Sequence, residues 1–140
     1  MKRLLFLILV VFAGMAVKGQ TPADKIVGVW LNDDKTTKIE FSKTGKTYSG
    51  KIVWLAQPND ANGSPRLDKN NPDPDKRNQK ILGLTIITGL KYSNNKWSGT
   101  MYGPKRGQYA NCAFILKSEG QLQITVSKGF LSETKTWTKS

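Results

Sequence analysis

Hydrophobic and polar residues alternate along most of the chain after residue 20. In residues 38–42, Ile39 and Phe41 alternate with polar neighbours, and residues 121–127 repeat the same pattern. A period of two places every second side chain on one face of an extended strand. No part of this region carries an apolar stripe with helical spacing. The pattern therefore predicts an all-β fold.

Turn-forming residues separate the alternating runs, for example at residues 104–107 and 118–120. About eight antiparallel strands joined by short turns predict a single meander closed into a small barrel, because closure removes the exposed strand edges. A sandwich of two sheets is the alternative. We predict strands near residues 26–31, 37–43, 46–55, 80–93 (interrupted at Gly89), 96–102, 108–117, 121–128 and 134–139.

A loop rich in Pro, Asn and Asp interrupts this rhythm over residues 56–79. Loops of this length in a small domain are usually functional or disordered. The oxygen donors Asp68, Asn71 and Asp73 are compatible with calcium, but their spacing lacks the glycine and the closing glutamate of the common calcium loop, and we predict no metal. The same residues favour Asx-Pro turns, and Asp68 or Asp73 could pair with Arg77 to hold the loop against the barrel.

The N-terminus is typical of an export signal. Two basic residues are followed by an apolar run over residues 4–17, which is shorter than the roughly 20 residues that span a bilayer as a helix. We predict a signal peptide over residues 1–19 and a single β-barrel domain over residues 20–140, in the periplasm or secreted. The alternative is an N-terminal helix that stays attached.

The charge of the chain is strongly basic. The formal charge is +12, and removal of Lys2, Arg3 and Lys18 with the predicted signal lowers it to +9. Basic proteins often bind nucleic acid. However, the lysines are scattered along the sequence, and an exported protein rarely meets nucleic acid. We expect no nucleic-acid partner, and a basic surface that is solvated or attracts anionic components of the envelope.

The composition favours a protein that is not an enzyme. The chain has no histidine and one cysteine, Cys112, so a Ser-His-Asp or Cys-His site and a structural zinc site are both excluded. A pair of carboxylates among Asp60, Asp68 and Asp73 remains formally open. Alternation groups Cys112 with Phe114, which predicts a buried, inert thiol. We predict no cofactor.

Several spaced segments together resemble a bacterial exported family catalogued as domain of unknown function 2147. The family implies a lipocalin-like or calycin-like barrel without an established activity. This chain has Lys139 and Lys128 where members of the family tend to have arginine, which removes a planar bidentate donor at both positions. The segments are Gly28-Val29-Trp30, residues 48–55, 68–73, 82–84, 97–102 and 104–109, and Trp137-Thr138-Lys139.

The segment Gly28-x-Trp30 is similar to the start signature of lipocalins. That resemblance implies a tryptophan that plugs the closed end of the barrel, with a basic residue of the last strand across its indole. Alternation puts Lys139 on the same side as Trp137, from where it could reach Trp30. A cation–π contact of this kind contributes roughly 0.5–2 kcal/mol. We therefore predict a structural role for Gly28, Trp30, Trp137 and Lys139.

The chain has more aromatic residues than a minimal core requires, and alternation puts Tyr48 and Trp54 on one face. Aromatic walls suit an apolar or amphipathic ligand in a barrel mouth, so the leading hypothesis is a non-enzymatic extracytoplasmic binding module. The alternatives are a barrel that fills its own interior with these rings, and an envelope protein that binds an anionic polymer or protein through its basic surface and residues 56–79. The candidate ligand-binding residues are Tyr48, Trp54, Trp97, Tyr102 and Tyr109.

Overall fold

The structure, a computed structural model, describes residues 21–140 and contains eight antiparallel strands. Each strand is hydrogen-bonded to the next, and β1 pairs with β8 to close the barrel. The predicted all-β barrel is thus confirmed, whereas the predicted signal peptide lies outside the described residues. The strands are β1 Gly28–Leu31, β2 Thr37–Thr44, β3 Thr47–Leu55, β4 Thr85–Ser93, β5 Lys96–Gly103, β6 Gln108–Ser118, β7 Gln121–Lys128 and β8 Leu131–Lys139.

The connections alternate between the two ends of the barrel, because consecutive strands are antiparallel. One end, which we call the capped end, carries the β2–β3, β4–β5 and β6–β7 hairpins and is covered by the 3₁₀ helix Pro22–Ile26. The other end, the loop end, carries the β1–β2, β5–β6 and β7–β8 turns and the long β3–β4 connection. Within residues 21–140, no helix has the length and apolarity that a transmembrane span requires.

Side chains fill the inside of the barrel. Trp30, Phe41 and Phe114 are almost completely buried there. The Phe41 and Phe114 rings meet edge to face with their centroids 5.3 Å apart, and the Phe114 and Trp137 centroids are 5.5 Å apart. Edge-to-face contacts add to the stabilisation that burial of the rings supplies. The interior is therefore a packed aromatic core.

The fourth strand begins at Thr85, five residues later than predicted. The apolar residues before it belong to the loop, which spans residues 56–84. Lys80 pairs with Leu67 across the loop, and the Gly83 amide donates to the Ile52 carbonyl with φ of +92°, a conformation that suits glycine. The interruption predicted at Gly89 is a β-bulge, since the register with β5 shifts there and φ is +64°.

The prediction that Trp54 shares a face of its strand with Tyr48 is wrong. The β2–β3 pairing shifts between Lys38 and Ile39, so that Ile39 faces Ile52 but Lys38 faces Trp54. One extra residue on β3 reverses the alternation beyond it. Trp54 consequently lies on the outside of the barrel, 40 % exposed, with the Lys38 Nζ 5.3 Å from its ring centroid.

Candidate functional site

The lysine–tryptophan contact suggested by the sequence is present at the capped end. Lys139 lies opposite Trp30 in the β1–β8 pair, with its Nζ 4.8 Å from the indole centroid, and it donates to the Val27 carbonyl at 3.1 Å. Gly28 makes room for this lysine, because a Cβ at that position would overlap Nζ. Trp137 lies deeper, against Phe41 and Phe114. These contacts give the cluster a role in closing and packing the barrel.

Tyr48 and Trp97 also hold the capped end. The Trp97 indole N–H donates to the Ala23 carbonyl at 2.9 Å, and the Tyr48 hydroxyl donates to the Asp24 carboxylate. Burial and this hydrogen bond raise the pKa of Tyr48 to about 12. The bond from Tyr48, and then that from Lys43, lower the pKa of Asp24. Both rings are buried, so they fill the interior and leave no aromatic wall there for a ligand.

Tyr102 and Tyr109 form a pair on the outer face of the barrel. They lie opposite each other in the β5–β6 pair, with their ring centroids 4.9 Å apart. Trp97 points inward, and Tyr102 is five residues further along β5, so alternation turns it outward. Tyr102 is nevertheless buried, because the loop of residues 56–84 lies over it, whereas Tyr109 remains 49 % exposed.

Asp68 fastens the loop to this outer face. Its side chain is fully buried, one carboxylate oxygen accepts a hydrogen bond from the Tyr102 hydroxyl at 2.7 Å, and the other accepts from the Asn71 side-chain amide at 2.7 Å. Burial, followed by the bond to Asp68, raises the pKa of Tyr102 above its ordinary value. Asn70 adds a bond to the Lys105 carbonyl at 3.0 Å in the β5–β6 turn.

One alternative was that Arg77 holds the loop through an ion pair with Asp68 or Asp73. The structure shows a different contact. The Arg77 Nε instead donates to the Asn71 carbonyl at 2.8 Å, and within residues 21–140 Arg77 takes part in no ion pair. Asp73 accepts from the Asp75 amide and so caps the short 3₁₀ turn Pro74–Lys76. No group of three or more potential metal-binding side chains occurs in the described part of the chain.

A hollow of about 460 Å³ opens between the loop and the outer face of β4, β5 and β6. We call it the outer-face hollow. Asp68, Asn71, Tyr102 and Tyr109 lie in its wall, so the structure brings together four of the residues that the sequence singled out. The sequence did not indicate its other main wall residues, which are Lys76, Gln79, Leu84, Ile86, Thr88 and Thr100.

A second hollow, of about 450 Å³, lies on the outer face of β5, β6 and β7 and is more open to solvent. Small side chains such as Ser98 and Thr125 line it. Cys112 is also in its wall, but the residue is buried, and burial raises the pKa of its thiol to about 12. A thiol that stays protonated at neutral pH is a poor nucleophile.

Two comparisons with known proteins found a match to this chain. A family model described as "Uncharacterized protein conserved in bacteria (DUF2147)" matches residues 28–139. The solved structure of HP1028 from the human pathogen Helicobacter pylori, described as belonging to the lipocalin family, superimposes with a TM-score of 0.71 and 20 % sequence identity over 82 % of each chain. This likeness shows a lipocalin-like fold. No curated protein sequence matches the chain.

Proposed function

The chain belongs to the bacterial family DUF2147, and we propose that it is a non-enzymatic extracytoplasmic protein that binds a small amphipathic molecule in the outer-face hollow. The observation that carries this proposal is the hollow itself, formed where the loop of residues 56–84 is fastened over Tyr102. Its volume of about 460 Å³ is within the range of roughly 300–1,000 Å³ found for small-molecule sites.

The wall of the hollow favours a ligand with both apolar and polar parts. Leu84 and Ile86 supply aliphatic surface, and the half-exposed Tyr109 offers the face of an aromatic ring. Lys76 and Thr88 add a positive charge and a hydroxyl to the same wall. A molecule with an apolar portion and an anionic or hydroxylated group would find complementary partners for both.

The inside of the barrel does not support the mouth site that the sequence suggested. Tyr48 and Trp97, the two candidate residues that do face inward, are buried and bound to Asp24 and Ala23. A ligand there would have to displace packed rings from the core. The outer-face hollow instead accepts a ligand without any change in the core, so binding and folding are not in conflict.

The chemistry of the hollow favours binding over catalysis. Asp68 is the carboxylate in its wall, and the bonds from Tyr102 and Asn71 occupy both of its oxygens. A general acid or base must be able to reach a proton of the substrate. The histidine-free composition removes the side chain most often used for that purpose at neutral pH. The export signal predicted for residues 1–19 supports a location outside the cytoplasm.

Native mass spectrometry tests this proposal. The protein, expressed from its full chain in its own host and purified without detergent, is expected to carry a bound molecule of small mass. Thr88→Phe should fill the hollow and Tyr109→Ala should remove the stacking surface, so both variants should lose that mass. Thr125→Phe places the same bulk on the outer face beside the second hollow and serves as the matched control that should retain it.

Two results would contradict the proposal. One is a bound molecule that Thr88→Phe retains, since the ligand would then lie elsewhere. The other is a protein that carries no molecule and also fails to take up fatty acids or lysolipids, judged by the amide NMR signal of Tyr109. The melting temperature of each variant shows whether a lost ligand reflects a lost fold.

A further inference from the structure

Lysines gather at the capped end of the barrel. The β2–β3 and β4–β5 hairpins each contribute two of them, the β6–β7 hairpin one, and the 3₁₀ helix one. All are exposed, and two acidic residues, Asp24 and Glu119, lie at the same end. Asp24 is already engaged by Tyr48 and Lys43. These six lysines are Lys25, Lys43, Lys46, Lys91, Lys96 and Lys117, and Lys139, which lies across Trp30, is a seventh at the same end.

The antiparallel meander produces this concentration. In the sequence the lysines are widely separated and look scattered. Every second turn of a meander lies at the same end, so residues near the 44–47, 93–96 and 118–121 hairpins become neighbours around one rim. These lysines therefore meet at one end of the molecule, where basic side chains clearly outnumber acidic ones.

The loop end has a different character. All three arginines outside the predicted signal, Arg66, Arg77 and Arg106, lie there. In the loop of residues 56–84, five basic residues face four aspartates, so the charges nearly balance. The fully exposed Phe130 and the exposed Leu131 are at this end too, in the β7–β8 turn. The basic surface and the long loop, which one sequence hypothesis combined, thus lie at opposite ends of the barrel.

We propose that the capped end docks on a lipid bilayer that contains anionic lipids. Clusters of roughly four to eight basic residues attract such surfaces. Lysine suits this role because its ammonium group is a compact, hydrated point charge on a flexible stem, whereas recognition of a single phosphate tends to use the planar arginine fork. The turns of the capped end expose no large apolar side chain among the described residues, so contact is electrostatic and reversible, without insertion.

Docking through the capped end has a consequence for orientation. The loop end and its turns point away from the bilayer, because the two ends are opposite each other along the barrel axis. The long loop that roofs the outer-face hollow therefore stays accessible from the solvent side. The docking surface and the hollow share no residue, so this inference does not depend on the proposed ligand.

Vesicle co-sedimentation tests the docking surface. The protein expressed from its full chain is mixed with vesicles of phosphatidylcholine alone, or with added phosphatidylglycerol. We expect binding to the anionic vesicles only, and release at about 1 M salt, where the Debye length is about 3 Å. Binding that is equal on both kinds of vesicle, or absent from both, overturns the proposal.

Two charge-reversal pairs locate the surface. Lys46→Glu with Lys96→Glu changes the capped end, and Lys105→Glu with Arg106→Glu changes the net charge by the same amount at the loop end. The first pair should lower the partition coefficient at least tenfold, and the second less than threefold. If the first pair does not fold, Lys91→Glu with Lys117→Glu replaces it with the same change in net charge, since both residues are exposed on strand surfaces.

Three outcomes would refute the location. Equal losses in the two pairs would indicate attraction by net charge alone. If Phe130→Ser lowers the partition coefficient as much as the capped-end pair does, the protein docks through the loop end. Binding to a soluble polyanion such as dextran sulfate, without binding to anionic vesicles, would indicate that the partner is a polymer and not a bilayer.

Discussion

Removal of one hydroxyl group from Tyr102 should loosen the loop and destabilise the barrel. In Tyr102→Phe the ring keeps its place against Tyr109, but one oxygen of Asp68 loses the bond that it accepts at 2.7 Å. That carboxylate is 0 % exposed, so water does not replace the hydroxyl without an opening of the loop. The substitution therefore leaves a buried charged group with half of its side-chain hydrogen bonds.

The magnitude follows from the chemistry of that bond. A hydrogen bond to a charged group contributes roughly 1.5–3 kcal/mol, and a buried acceptor left unsatisfied costs about as much. We expect Tyr102→Phe to lower the free energy of unfolding by about 2–3 kcal/mol. For a chain of this size, such a change corresponds to a fall in melting temperature of roughly 10 °C.

Urea unfolding and amide exchange measure the effect at two levels. Urea unfolding reports the free energy of the whole barrel. Exchange of the Asp68 amide, which donates to the Gln79 carbonyl at 2.8 Å, reports opening of the loop alone. If the loop opens locally, exchange should become faster by roughly 30- to 150-fold, because 1.4 kcal/mol corresponds to about a factor of ten.

Tyr109→Phe is the matched control. It removes the same hydroxyl from the neighbouring ring, which is half exposed and packs against Tyr102 at a tilt of 40°. We expect it to change the free energy of unfolding by less than about 0.5 kcal/mol, as is usual for surface substitutions. Equal effects of the two substitutions, or no effect of Tyr102→Phe on either measurement, would refute the account of the Asp68 contact.

Three further predictions concern the capped end and the core. Lys139→Met should lower the free energy of unfolding by about 1 kcal/mol through loss of the cation–π contact with Trp30. Gly28→Ala should lower it by more, because a φ of +129° strains any residue with a Cβ and the new methyl group would displace the Lys139 ammonium from Trp30. A neutral Gly28→Ala in urea unfolding would contradict this. The pKa of Tyr48 is raised from 10.0 to about 12. Its contribution to stability is therefore complete below pH 10 and declines as the pH rises to 12. In melting temperatures measured over this pH range, Tyr48→Phe should flatten the decline. Cys112 should react with a thiol reagent only after unfolding, and rapid labelling of the native protein would show that its burial is not maintained.

The strands could be predicted because the barrel places alternate residues inside and outside. Ile39 and Phe41 are buried with the polar residue between them turned outward, so the sequence pattern and the burial agree. The prediction of a strand failed for residues 80–84, where the apolar residues pack as part of the loop. Apolar character indicates burial in both cases, and the sequence does not distinguish a strand from a loop that covers one.

The position of Trp54 could not be predicted, because a β-bulge depends on how two strands align and leaves no mark in the alternation of one strand. Tyr102 is different. Its odd separation from Trp97 already indicated opposite faces of one strand. What the sequence could not indicate is that a loop more than thirty residues earlier returns to bury Tyr102 through Asp68.

The lysine cluster at the capped end follows from the same topology that fixes the core. Once the turns are assigned and a meander is assumed, the lysines near every second hairpin must share an end, so this feature could be predicted in principle. The outer-face hollow could not, because it depends on the path of an irregular loop. The barrel interior is committed to packing, and both proposed functions use surfaces outside it that include exposed residues such as Tyr109 and Lys46. Substitutions such as Tyr109→Ala and Lys46→Glu should therefore separate binding from folding, whereas changes at Trp30 or Tyr48 would disturb the barrel itself.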